Sequence, residues 1–135
     1  MFPDTYAYIG ILEYGEEGSV GVRFPDLPGC IAVGDTTEEA LEDAKSSLAL
    51  HLYGMEQDGE PIPAPSDIRS LKLEEGDVPA MVEVNMKIYR ARFLTRSVKK
   101  TLTIPYWLDL AAEDAGLNFS QELQNALKAK LHISD

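Results

Sequence analysis

The acidic and imidazole side chains that could perform catalysis are scattered along this sequence. Asp26, Asp35 and Glu38 are of the type that holds two metal ions for hydrolysis. However, they fall in a loop and at a helix cap, where acids are common for structural reasons. The two histidines, His51 and His132, lie far apart in the sequence and do not suggest a shared site.

The single cysteine, Cys30, has no obvious activating partner, and we expect it to be a small buried residue. One cysteine also excludes an internal disulfide and a cysteine-cluster zinc site. We therefore expect no enzymatic activity, no catalytic residue, no metal and no cofactor.

A second set of polar side chains has the spacing of a recognition surface. From Val98 to Ile104 the residues alternate, which predicts a strand with Lys99, Thr101 and Thr103 on one face. Lysine can reach guanine acceptors, and threonine can bond bases or touch a thymine methyl group. Lys100 and Arg96 could add contacts to the DNA backbone.

Two helices follow this strand. Pro105 ends the strand and begins a helix over 107–115, and Gly116 is expected to cap it. Asn118, supported by Gln121, is expected to cap a last helix. The free amides near Asn118, Phe119 and Ser120 would face a phosphate.

The segment 98–131 is too short to build a core alone, and its strand has no local partner. Both problems disappear if two chains pair their strands and stack their helices. This predicts a homodimer whose two-stranded ribbon fits the major groove of DNA. The alternative is that these helices serve only for dimerisation or packing.

The first 90 residues predict a different architecture. Aromatic and β-branched alternation indicates strands over 6–14, 19–24 and 30–34, followed by a helix from Thr36 or Thr37 to about Asp58. A weak strand over 68–73 and a better one over 78–86 follow the helix. The predicted fold class is α+β, a small antiparallel sheet with one helix, and the predicted domains are 1–90 and 91–135.

Charge divides the chain in the same way. The net charge of −11 argues against nucleic acid at face value, because phosphates need basic partners. However, residues 1–85 hold eighteen acidic and four basic side chains, a net charge of −14. Residues 86–135 hold five acidic and eight basic side chains, a net charge of +3. Such asymmetry is typical of a chain with two roles, so DNA is not excluded.

Two resemblances give these halves a function. The motif F-P-D-L-P-G-C (24–30), with G-D-T-T-E-E-A (34–40) after a hairpin, resembles the HicB antitoxin family. That resemblance implies a truncated RNase H-like unit, in the order β-β-β-α-β, which binds and neutralises a HicA toxin, a small basic ribonuclease that degrades mRNA. K-K-T-L-T-I-P (99–105) and N-F-S-Q-E-L-Q-N-A-L (118–127) resemble a ribbon-helix-helix repressor domain, which implies repression of the chain's own operon by binding operator DNA.

An acidic surface suits a basic toxin, since complementary charge speeds association. The expected toxin contacts are Asp26, Leu27, Pro28, Gly29, Asp35 and Glu38. The alternative is that Pro28 and Gly29 only shape the turn and that the acidic residues at the start of the helix form a solvated face. The alternative function is a DNA-binding transcriptional regulator whose acidic domain senses a small ligand or another protein. With no signal peptide and no apolar run of about 18 residues, we expect a cytoplasmic protein without a membrane partner, at least dimeric.

Overall fold

The computed structural model describes residues 1–94 and 96–133. The chain divides into two compact units, which we call the N-terminal unit, ending at Arg96, and the C-terminal unit, beginning at Ser97. The elements are those of an α+β protein, as predicted.

The N-terminal unit is built on one sheet. Its strands are β1 (Thr5–Tyr14), β2 (Val20–Arg23), β3 (Ile31–Gly34) and β4 (Val78–Asn85). They pair antiparallel throughout in the order β3-β2-β1-β4, so β3 and β4 form the two edges. The three N-terminal strands and β4 lie within a residue or two of their predicted bounds.

Helix α1 (Thr37–Asp58) packs on one face of this sheet through small and aliphatic side chains. Thr36 caps its first turn, because its side chain accepts a hydrogen bond from the Glu39 amide, and Gly59 ends it in the left-handed conformation. The cap at Thr36 and the end at Asp58 match the prediction. The main members of the core are Tyr8, Leu12, Val20, Val22, Phe24, Leu27, Ala40, Ala44, Leu48, Leu52, Val82, Val84 and Met86.

Two elements between α1 and the C-terminal unit differ from the prediction. The strand expected over 68–73 is a single 3-10 turn (Ile68–Ser70), because the Asp67 carboxylate accepts a hydrogen bond from the Arg69 amide and curls the backbone. Immediately after β4, the chain forms α2 (Met86–Arg92), which the prediction missed. Asn85 caps α2 through the Lys87 amide, and Met86 is fully buried.

The C-terminal unit contains α3 (Tyr106–Asp114) and α4 (Phe119–Leu131). Residues 97–105 form neither helix nor strand, so the strand predicted over 98–104 is not formed within the single chain. A strand requires a partner to complete its ladder, and the described part of this chain offers none to that segment. Neither α3 nor α4 has a buried side chain.

Candidate functional site

The loop after β2 combines an anchored aspartate with a buried leucine. Asp26 is half-buried, and its two carboxylate oxygens accept hydrogen bonds from the amide and the hydroxyl of Ser66. Leu27 is only 1% exposed and belongs to the core. The loop thus turns the side chain of Leu27, one of the predicted toxin contacts, inward. Pro28 and Gly29 are exposed, and Gly29 has a φ of 90°, a conformation that side chains disfavour.

The start of α1 presents acidic side chains on a rigid cap. The Glu39 carboxylate accepts a hydrogen bond from the Asp35 amide while Thr36 accepts one from the Glu39 amide. These bonds resemble a capping box, except that the Glu39 side chain bonds the amide of the residue before the cap, and they leave Asp35 and Glu38 exposed. Both carboxylates are thus accessible to a partner.

The two groups of predicted toxin contacts lie at opposite ends of β3. The loop residues 26–29 precede the strand Ile31–Gly34, and Asp35 and Glu38 follow it. Four extended residues separate the two groups by about 13 Å. They therefore form two patches rather than one compact site.

A third acidic residue, Glu56, is internal. Its side chain is 1% exposed and receives two hydrogen bonds from the Arg90 guanidinium, at 3.0 and 2.7 Å, and one from the Tyr6 hydroxyl, at 3.0 Å. Burial, and then the hydrogen bond to Glu56, raises the pKa of Tyr6 to about 12. Arg90 also donates to the Pro3 carbonyl at 2.7 Å, so one cation joins α1, α2 and the amino end.

The sequence prediction missed this network. Arg90 is one of the eight basic side chains of residues 86–135, but in the structure it binds within the N-terminal unit. The signal that could have found it was Asn85 as a helix cap before Met86.

Within residues 1–94 and 96–133, no group of three His, Cys, Asp or Glu is placed to hold a metal ion. Cys30 is buried, and burial raises the pKa of its thiol to about 11, which keeps the thiol protonated at neutral pH.

The basic segment of the C-terminal unit is open to solvent. Lys99, Lys100, Thr101 and Thr103 are all exposed, as is Arg96 just before the unit. The apolar residues of the same segment are exposed too, with Val98 at 73% and Leu102 at 62%.

The N-terminus of α4 carries a side-chain cap. Asn118 caps the helix by accepting from the Gln121 amide at 2.9 Å, as predicted. Phe119 and Ser120 occupy the first helical turn, and both are exposed. The first-turn amides that sequence analysis assigned to a phosphate are thus present at a well-formed helix end.

Among the described residues, no helix is long and apolar enough to cross a membrane.

Comparisons with known proteins agree with this architecture. Residues 8–126 match the family described as the HicB-like antitoxin of bacterial toxin-antitoxin systems. The chain is 44% identical over 57 residues to Antitoxin HicB 1 of Photorhabdus laumondii, covering 42% of this chain and 37% of that protein. It is 27% identical over 84 residues to an uncharacterized 14.9 kDa protein of Haemophilus phage HP1, covering 62% of each. The matches thus span less than two thirds of these curated relatives.

Solved structures cover more of the chain. A chain of a toxin-antitoxin complex from Streptococcus pneumoniae is 28% identical, with a TM-score of 0.58, over 93% of this chain and 99% of that one. The antitoxin HicB of Burkholderia pseudomallei, at 18% identity and a TM-score of 0.54, shares the fold over 90% and 96% of the two chains. The family model spans most of the sequence and confirms the resemblance to HicB. The chain therefore belongs to the HicB-like antitoxins of bacterial toxin-antitoxin systems.

Proposed function

We propose that this antitoxin neutralises a HicA-type, mRNA-degrading toxin with its N-terminal unit and represses its own operon with its C-terminal unit. In this proposal the N-terminal unit is a truncated RNase H-like fold, and the C-terminal unit forms a ribbon-helix-helix homodimer on operator DNA. The observation that carries the proposal is the division of charge along this member of an antitoxin family. The net charge is −14 over residues 1–85 and +3 over residues 86–135. Both partners would meet the chain in the cytoplasm, and neither role requires catalysis or a cofactor.

The toxin role is supported by the acidic patches and by the relatives. Chains similar to this one come from structures described as a toxin-antitoxin complex and as the HicA3 and HicB3 complex, the latter with a TM-score of 0.50. Of the predicted contacts, Pro28, Gly29, Asp35 and Glu38 have accessible side chains or backbone. Asp26 acts in this proposal by holding the loop on Ser66.

The DNA role is supported by an exposed basic segment and an incomplete core. Leu102 and Ile104 are 62% and 42% exposed, although aliphatic side chains gain about 1.5–3 kcal/mol each when buried. Pairing 98–104 with the same segment of a second chain would cover them and complete a ribbon. The outer face of the ribbon would bring Lys99, Thr101 and Thr103 to the edges of the bases. The phosphates would be contacted by Arg96, Lys100 and the backbone amides at Asn118, Phe119 and Ser120.

The experiment is co-purification with the product of the gene beside this chain's gene, which the proposal expects to be a small basic protein. The full chain is compared with a truncated chain ending at Arg96, since α2 packs with the N-terminal unit and must be retained. Both forms should bind the neighbouring protein, with association slowed by added salt. Only the full chain should shift DNA from upstream of the gene. Failure of both forms to bind the neighbouring protein would overturn the antitoxin role proposed for this pair.

A further inference from the structure

One edge of the sheet, the outer edge of β4, has unpaired backbone groups. The Met86 amide donates to the Asp4 carbonyl, which fixes the alternation of the antiparallel β1–β4 ladder. By that alternation Val82 and Val84 bond β1, whereas Met81 and Glu83 direct their N–H and C=O groups outward. Within the described ranges no other backbone or side chain bonds these outward groups.

The opposite edge, β3, is covered at one outward amide. The Val33 amide, which points outward from β3, donates to the Asp43 carboxylate on α1 at 3.0 Å. Proteins commonly cover or charge exposed strand edges to prevent unwanted pairing. The eight-residue β4 is longer than the four-residue β3 and has no such bond to α1 among the described residues, so it is the edge better suited to a partner strand.

A groove of about 360 Å³ runs between this open edge and α1. Met81 and Val82 form its strand side, and Leu41 and Lys45 contribute to its helix side. Glu38 and Glu42 also line it, and both are exposed. The groove therefore combines the open backbone of β4 at Met81, apolar lining from Leu41 and Val82, and net negative charge.

We propose that an extended, basic segment of the toxin adds to β4 as a fifth strand and fills this groove. Its backbone would bond the outward groups of Met81 and Glu83, and its Lys or Arg side chains would pair with Glu38 and Glu42. Strand addition supplies affinity through main-chain hydrogen bonds and specificity through alternate side chains. The inference rests on the proposed function, because that function supplies the basic partner.

Charge and strand register both restrict which molecule could pair with the open edge of β4, and where it would bind. A second copy of this chain would bring its own Glu83 and the same acidic helix to the edge, and like charges oppose such pairing. Pro79, which shares the outward alternation of Met81, has no N–H to offer. The added strand would therefore bond the half of β4 from Met81 onward.

Residue-resolved hydrogen exchange on the full chain tests the inference, using the neighbouring gene's basic protein as the probe. The amides of Met81 and Glu83 should exchange quickly in the free chain and at least about tenfold more slowly in the saturated complex. The amides of Val82 and Val84 are the internal control, since they are already bonded to β1. Binding without added protection at Met81 and Glu83 would overturn this inference and leave the proposed function intact. No binding at all would overturn both.

A pair of variants gives a second measurement. Met81→Pro removes the outward N–H while sparing the β1 ladder, whereas Met81→Ala keeps that N–H. We expect Met81→Pro to weaken toxin binding about tenfold or more, and Met81→Ala by less than about threefold. Equal effects of the two variants, with both folded by circular dichroism, would contradict a backbone-mediated contact.

Reversing the groove's charge provides the third measurement. The double variant Glu38→Lys/Glu42→Lys should slow association at least about tenfold at low salt. Glu16→Lys/Glu17→Lys, in the exposed turn after β1, changes the net charge equally and should have a much smaller effect. If Met81→Pro instead alters the sedimentation of the free chain and not toxin binding, the occupant is a second copy and the proposal fails.

Discussion

Glu56 joins three segments of the N-terminal unit through one buried carboxylate. Arg90 binds it with two nitrogens, and Tyr6 adds a third hydrogen bond. A buried charge is tolerated only when it is paired in this way. Sequence reasoning assigns acidic helix residues to solvent by default, so the inward position of Glu56 could not be found from composition.

We predict that Glu56→Gln lowers the free energy of unfolding by about 2–3 kcal/mol, because the Arg90 cation loses its carboxylate partner. Urea unfolding followed by far-UV circular dichroism measures the change. Glu42→Gln makes the same chemical change at an exposed position of α1 and should stay within about 0.5 kcal/mol of the original chain. Equal midpoints for the two variants would contradict a stabilising role for the network.

Lys99 is the residue on which the proposed DNA contact depends most. Its side chain is exposed and lies on the face predicted to point away from the apolar residues of the segment. Lys99→Ala should weaken binding to the upstream DNA by about five- to a hundredfold in a gel-shift titration. Lys130→Ala, near the end of α4, is the matched control for loss of one positive charge. Equal affinity for the original chain and Lys99→Ala would disprove the assignment of this face.

At the scale of elements, the junction between β3 and α1 is close-packed. A Cβ atom at Gly34 would lie 2.4 Å from the Ala40 amide nitrogen, closer than any real contact allows. The backbone of β3 and the first turn of α1 therefore touch directly. This close approach holds the acidic cap, with Asp35 and Glu38, in place beside the sheet.

Two glycine-to-alanine substitutions should consequently have opposite effects on the stability of the N-terminal unit. Gly34→Ala should lower the thermal midpoint, because backbone on both sides must move to admit the methyl group. Gly54→Ala, inside α1 with nothing within 4 Å of the added atom, should raise stability by about 0.5–1 kcal/mol. Thermal unfolding of the two variants checks this, and a rise for Gly34→Ala would show that the junction is looser than described.

The elements that sequence analysis predicted well have strong local signals. The hairpin alternation, the Thr36 cap and Gly59 all act within a few residues, so β1, β2, β3 and α1 were found. Helix α2 was missed because it follows β4 with no glycine or proline between them. The inward turn of Leu27 depends on packing against distant residues, which composition does not reveal. The open edge of β4 also depends on strand order, a property of the tertiary fold.

At the scale of the whole molecule, the two units differ in how complete they are. The N-terminal unit encloses its own core, whereas α3 and α4 bury no side chain in the single chain. Trp107 and Leu131 are 70% and 63% exposed. An exposed apolar surface of this extent indicates an interaction site.

We expect Leu102→Glu to convert the proposed dimer to a monomer, since it would place a charge in each strand of the paired ribbon. Analytical ultracentrifugation of the full chain measures the shift. Leu50→Glu, at a 59% exposed position of α1, should leave the association state unchanged. Helicity of the C-terminal unit should fall in Leu102→Glu alone. A dimer that survives the substitution would show that chains associate elsewhere.

Because the helices of the C-terminal unit bury no side chain in the single chain, the proposed repressor depends on the concentration at which two chains meet. Because pairing and folding of that unit are one equilibrium, the operator-binding species grows with the square of the chain's concentration when chains are scarce. The N-terminal unit has its own core, so the amount of it that is folded and able to bind toxin rises in simple proportion to the concentration of the chain. Dilution or proteolysis would then release the operon before it releases the toxin, and fresh antitoxin would be made while the existing supply still sufficed.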